Sequence, residues 1–583
     1  MNPTQSNPRE SLQQAIDTKI QSLEESLAES IRVLRLQRNA LAAVSSLPAE
    51  VFTAIFTFLC LPEPGEPHSP QHHLARLHVS HTCHQWREIA LNHPLLWSHI
   101  DFTTLSLAGA AEMLVRAKSK PLYLEARVSE QRWDDVQIGI FQKELQAFVP
   151  HICDLFISTE HLDPCKFLDT LISPAPTLEN LSLFRGKYGL RTALPENLFG
   201  GITPRLSCLE LHNCDISWKS PLLKDLRYLD IRLSSTNKTP SLSAWLDALD
   251  KMPQLRALTL HRASPSASSF IFDVKRTVTF PSLTHLDILA SPGDCALALA
   301  HLDAPALTSL CLTAFSISLP NSRKVQNLLP YVVRHAHGIQ DTQPLQSVLI
   351  RNNAEYLDIL AWPVPNIDVE SYDPPTFLGA TLPTRLAFSF QCDDSLASSD
   401  ARLEILDTVM AGLPLDNLVM FATQDLRSCN PYRPLLPTKP FWTHLSPKWP
   451  LLQRVRLAPP SASGFIEMLL EDNEGHERPL LPSLTDLVVV DFSLYQLLEF
   501  SICDALMKRV EQGVPLEMLD LRMCYRDSLD GNKEGLRLLS QIVVNVLDPE
   551  GNFEAREQMK SMWNILARGP FIDHDDSSED DEE

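Results

Sequence analysis

Seven residues between His68 and His84 are of the types that hold metal: His68, His72, His73, His78, His81, Cys83 and His84. Imidazole and thiolate ligands in two close-spaced pairs would make a zinc site. Cys60 is the only other thiol nearby and no C-x-x-C occurs in the chain. The spacing therefore fits no ordinary zinc geometry, and the cluster reads as a polar loop and helix face. The nucleotide-binding signatures G-x-x-x-x-G-K-[ST] and G-x-G-x-x-G are missing, as are H-E-x-x-H and G-x-S-x-G. With 19 histidines and 72 acidic residues, Asp/His pairs arise by accident, and none is assigned to catalysis. The expectation is a non-catalytic chain with no metal and no cofactor. Ser577 and Ser578 each have an acidic residue three positions on, as acidophilic kinases favour; the plain alternative is a solubilising tail.

The chemistry that remains is binding, so the elements matter more than any single residue. At about 150 residues per domain, 583 residues make about four domains or one long repeat array. No apolar run approaches the roughly 20 residues of a bilayer span, and the polar start MNPTQSNPRESLQQ lacks a signal peptide's apolar centre. Cytosol or nucleus is the expected location, with the 12 scattered cysteines reduced. Net charge is −22, with eight acidic residues in the final DHDDSSEDDEE. An acidic body argues against phosphate contacts and so against nucleic acid.

Residues 1–44 contain an amphipathic helix from about Ser11 to Val44. Ile20, Leu27, Leu34 and Leu41 fall seven apart, and Ile16 and Leu23 begin a second series that Ser30 and Gln37 spoil. Such a helix either packs on its own protein or forms a homodimeric coiled coil through residues 11–44. Next, Leu47-Pro48-Ala49-Glu50 opens a helix that Ser45 or Ser46 can cap. Val51, Ile55 and Phe58/Leu59 make one apolar stripe and Phe52 and Phe56 widen it to half the helix. A helix this apolar must be buried on one side by its own domain and on the other by something else. A proline-rich loop from Leu61 to Pro70 follows, then a second helical pattern through Leu77, Ser80 or Cys83, Trp86/Arg87 and Ala90, closing at Pro94-Leu95-Leu96-Trp97.

LPAEVFTAIFTFL, VSHTCHQWREIA and HPLLW, in that order, resemble the F-box, a three-helix module of residues 45–100 here. The insertion before Leu77 is long for that module. The preceding helix also resembles the arrangement in the large F-box families of basidiomycete fungi. The resemblance implies docking onto the Skp-type adaptor of a cullin-based SCF ubiquitin ligase. It points to Leu47, Pro48, Val51, Ile55, Phe58 and Leu59 as the adaptor contact, with Val79, Cys83, Trp86 and Trp97 in support or in the module's own core.

From 101 to 545 the chain repeats. Nine copies of Leu-x-x-Leu-x-apolar, including Leu206/Leu209/Leu211, Leu255/Leu258/Leu260 and Leu516/Leu519/Leu521, are read as repeat units, with three looser copies such as Leu345/Val348/Ile350. Residue frequencies alone would give about five. Proline sits one or two residues ahead of eleven of the twelve copies, where about two are expected by the same arithmetic. Proline cannot donate to a sheet ladder and suits the start of a strand. Most spacings are 20–29 residues; one of 70 hides a decayed unit near Leu386-Ala387-Phe388. Period and signature are those of leucine-rich repeats, so the expected fold is α/β: a small all-α module, then an irregular parallel-sheet solenoid. Residues 546–572 read as a terminal helix that caps the last repeat, and 573–583 as a disordered acidic tail. The repeats would hold an unidentified protein substrate for ubiquitination. The alternative is a leucine-rich-repeat scaffold with no ligase role.

Overall fold

The computed structural model describes residues 8–547 apart from 62–69, 130–132, 161–163, 165–167, 187–191, 235–238, 268–275, 318–324, 337–343, 353–355, 368–384, 393–398, 426–437, 459–460, 471–478, 500 and 526–531. The terminal helix and acidic tail expected after residue 547 lie outside that range. The chain divides into two compact units, Met1–Leu222 and Leu223–Glu583.

The first unit opens with helix α1 (Pro8–Ala40), a short 3-10 turn (Ala43–Ser46), α2 (Ala49–Cys60), α3 (Pro70–Thr82) and α4 (His84–Leu91). Ser45 and Ser46 do not cap α2. They sit inside the 3-10 turn, where their hydroxyls donate to Asn39 O and Ala43 O at 2.7 Å. Pro48 itself occupies the N-cap position. Strands His99–Asp101, Leu122–Val128, Ile152–Thr159, Asn180–Arg185 and Cys208–His212 then pair in parallel and in chain order. Two of the returns begin with side-chain caps. Ser106 accepts the Gly109 N–H at the start of Leu107–Ala117, and Asp134 and Gln137 form a reciprocal capping box at Asp135–Phe148. In register, Leu124, Leu155, Leu181 and Leu209 stack in one buried column.

The second unit repeats this scheme in fourteen described strands, two of which, Val278–Thr279 and Leu302–Asp303, form a small parallel pair of their own. Tyr228–Arg232, Ala257–His261, His285–Ala290 and Ser309–Ile317 pair in parallel, stacking Leu229, Leu258, Leu286 and Leu310. Another parallel run, Ser347–Asn352, Met420–Asp425, Arg454–Leu457, Asp486–Ser493, Met518–Tyr525 and Asn545–Leu547, aligns Val348, Phe421, Val455, Leu487 and Leu519.

Between the two runs chain order and spatial order part. The neighbour of Ser309–Ile317 is the later strand Leu386–Cys392, in parallel. Tyr356–Trp362 lies next, antiparallel to both Leu386–Cys392 and Ser347–Asn352. The repeat period gave no sign of that antiparallel strand. Its sequence YLDILAW fits Leu-x-x-Leu-x-apolar at Leu357/Leu360/Trp362, but it follows the preceding strand after only three residues and no proline stands one or two residues before Leu357. At this seam both faces are buried: Val348 and Ile350 on one side, and Leu349, Leu360, Trp362, Ala387, Met420 and Ala422 in a cluster.

The prolines act one step earlier than strand pairing. Wherever proline stands two residues before the first apolar position, the residue before it closes a turn. The carbonyls of Ala175, Thr203, Met252, Phe280, Ala304, Trp449 and Leu481 accept the N–H groups of Leu178, Leu206, Leu255, Leu283, Leu307, Leu452 and Leu484. Val149 and Ile152 do the same around Pro150. Proline at the second position of a turn has its φ preset, and its missing N–H is not needed there. The strand begins only after the turn delivers its leucine to the core.

Candidate functional site

α2 carries two apolar stripes about 100° apart, because adjacent residues on a helix differ by that angle. Phe52, Phe56 and Cys60 form the inner stripe and are buried. Trp86 of α4 closes over it, with ring centroids 5.6 Å from Phe52 and 5.3 Å from Phe56. Burial pushes the Cys60 thiol up to about 11, so it is a packing group and no nucleophile. The outer stripe holds Val51, Ile55, Phe58 and Leu59, all exposed, with Phe58 at 76%. Leu47 and Pro48 ahead of the helix are exposed as well.

The frame behind this face is polar and specific. Arg76 of α3 is buried and donates to Leu96 O at 3.3 Å and to His99 O, which ties the helices to the first strand. Burial lowers its pKa to about 10, which still leaves it charged at neutral pH. Gln85 donates to Ser45 O at 3.3 Å and so anchors α4 to the turn before α2. Trp97 donates its indole N–H to Ala90 O at 2.8 Å, and the Arg116 guanidinium lies 4.8 Å from its ring centroid.

These positions sort the ten residues that the sequence proposed. Leu47, Pro48, Val51, Ile55, Phe58 and Leu59 turn to solvent. Val79 and Trp97 do not: both are buried in the module's own core, and no partner can reach them without unpacking it. Of the two places the sequence left open for them, adaptor support or the module's own core, they occupy the core. Trp86 is half-buried against the two phenylalanines. Cys83 is half-buried, and its sulfur accepts the Trp86 N–H at the start of α4. Leu77, at 46% exposure, belongs with the outward residues. Its helical spacing with Ala90 and Trp86 concealed this by suggesting core. Of the histidine cluster, His78, His81 and His84 are exposed and His84 lies 3.7 Å from Glu88. His68 and the side chains of His72 and His73 lie outside the described residues.

The face can do one thing chemically. It offers large aliphatic and aromatic surface with no ionisable group among the outward α2 residues named, on a helix held by a packed core. Each such side chain contributes about 1–3 kcal/mol when fully covered. Among the described residues no helix is long and apolar enough to cross a membrane. No curated protein matches the chain. Residues 44–103 match the family model described as F-box-like.

Proposed function

We propose that this chain is a substrate-recognition subunit of an SCF-type ubiquitin ligase and that its F-box-like domain docks on a Skp-type adaptor through Leu47, Pro48, Val51, Ile55, Phe58 and Leu59. The observation that carries the reading is the outer stripe of α2, apolar and exposed on a helix whose inner stripe is already filled. F-box domains are typically non-catalytic, so the chain's part is tethering. Holding a protein substrate beside a ubiquitin-loaded enzyme raises the effective concentration of its lysines. Residues 101–545 are proposed to be an irregular leucine-rich-repeat solenoid that holds that substrate, supported by the in-register leucine columns and the repeated proline turns.

The test is titration of purified adaptor into the full chain. Wild type binds with micromolar or tighter affinity. Val51→Asp with Phe58→Ala weakens binding at least a hundredfold, because the cost is a desolvated carboxylate plus a lost anchor, while thermal unfolding of the free chain hardly moves. No binding by wild type would leave the repeat region as a scaffold with no ligase role.

A further inference from the structure

Nothing among the described residues covers the apolar stripe of the 33-residue helix α1. Ile16, Ile20, Leu23, Leu27 and Leu34 are exposed, Leu23 at 59% and Leu27 at 62%. Their spacings of four, three, four and seven keep them on one seam, along a helix about 50 Å long. Helices owe most of their stability in water to packing of such a seam, so this one calls for an occupant.

The charges say which. Between Glu10 and Glu29 stand five carboxylates (Glu10, Asp17, Glu24, Glu25, Glu29) and one Lys19, a net of −4. Arg32, Arg35 and Arg38 follow with no acid between them, a net of +3. A helix's own dipole favours acids first and bases last, but only within its end turns. In α1 the sorting extends beyond them, although Arg9 stands just ahead of the acidic segment, Lys19 stands within it and Arg32 also reaches Glu29 of its own helix at 2.7 Å. We propose that α1 pairs with α1 of a second copy of this chain, antiparallel, each arginine segment lying along the other's acidic segment. A parallel pair would set −4 on −4 and +3 on +3. A membrane surface is a poor match, since such helices carry a basic polar face and α1 balances five basic residues against five acidic ones from Arg9 to Arg38.

Sedimentation equilibrium of the full chain, at low and at high salt, tests this. The expected result is a dimer at micromolar concentration in about 50 mM salt, weakened about tenfold or more at about 500 mM, because screening removes an attraction. Leu23→Asp with Leu27→Asp gives a monomer whose main thermal transition is unchanged. Arg32→Glu with Arg35→Glu and Arg38→Glu weakens the low-salt dimer at least tenfold and leaves the apolar stripe intact. A wild-type monomer at about 50 µM in low salt overturns the proposal. So does a dimer that survives Leu23→Asp with Leu27→Asp, or one that tightens as salt rises, which is the signature of a parallel pair.

Discussion

Thr57 and His93 fix one another's protons. The Thr57 hydroxyl donates to Thr53 O at 2.8 Å, which leaves its lone pairs to accept from His93 Nε2 at 3.2 Å. Burial, and secondarily the Lys120 charge, hold the imidazole below its ordinary pKa. The sign of the pH effect follows. Above pH about 6.5 the ring is neutral folded or unfolded and contributes nothing. Below it the unfolded chain takes up a proton that the folded chain resists, so stability is lost as pH falls. Burial shifts His285 the same way. The full chain should therefore melt lower at pH 5.5 than at pH 7.5, and His93→Gln should reduce that difference, with His285 carrying part of the remainder. An unchanged difference in the variant would remove His93 as its source.

At the scale of elements, the turn before each strand separates two jobs that adjoin in sequence. In Phe280-Pro281-Ser282-Leu283 the proline presets the turn and the leucine fills the core. Pro281→Ala should cost about 0.5–1 kcal/mol, through the greater freedom of the unfolded chain. Leu283→Ala should cost about 2–5 kcal/mol, through an emptied core position. Denaturant titration of the two variants measures both, and equal losses would mean the turn is not preset by proline. This division was half legible beforehand. Proline two residues ahead of leucine is plain in the sequence, but its reading as a strand opener missed the carbonyl it leaves in place to accept a hydrogen bond. The two stripes of α2 were legible too, since Phe52 and Phe56 stand beside Val51 and Ile55 and both cannot face one partner. The fates of Val79 and Trp97 were not: one apolar residue at helical spacing looks the same whether its own module or another protein covers it. Leu77 went unrecognised for the same reason.

Across the whole molecule, the repeat period picks out parallel strands a full unit apart and passes over one set close behind its neighbour. The twelve leucine copies mark parallel strands, yet Tyr356–Trp362, antiparallel and outside the period, links the two parallel runs of the second unit. That strand has a kinetic consequence. Every parallel pair in the unit joins residues some twenty or more positions apart, and closing such loops comes before any contact rewards it. Ser347–Asn352 and Tyr356–Trp362 are separated by three residues and pair directly, Leu349 opposite Leu360. A hairpin of this kind forms in about 1–10 µs, well before long-range ladders. Folding of the second unit should start at this seam and zip outward, toward Leu386–Cys392 on one side and Met420–Asp425 on the other. In rapid-mixing experiments Leu349→Ala and Leu360→Ala should slow refolding nearly in proportion to the stability they remove, whereas Leu229→Ala and Leu519→Ala, far from the seam, should act mainly on unfolding.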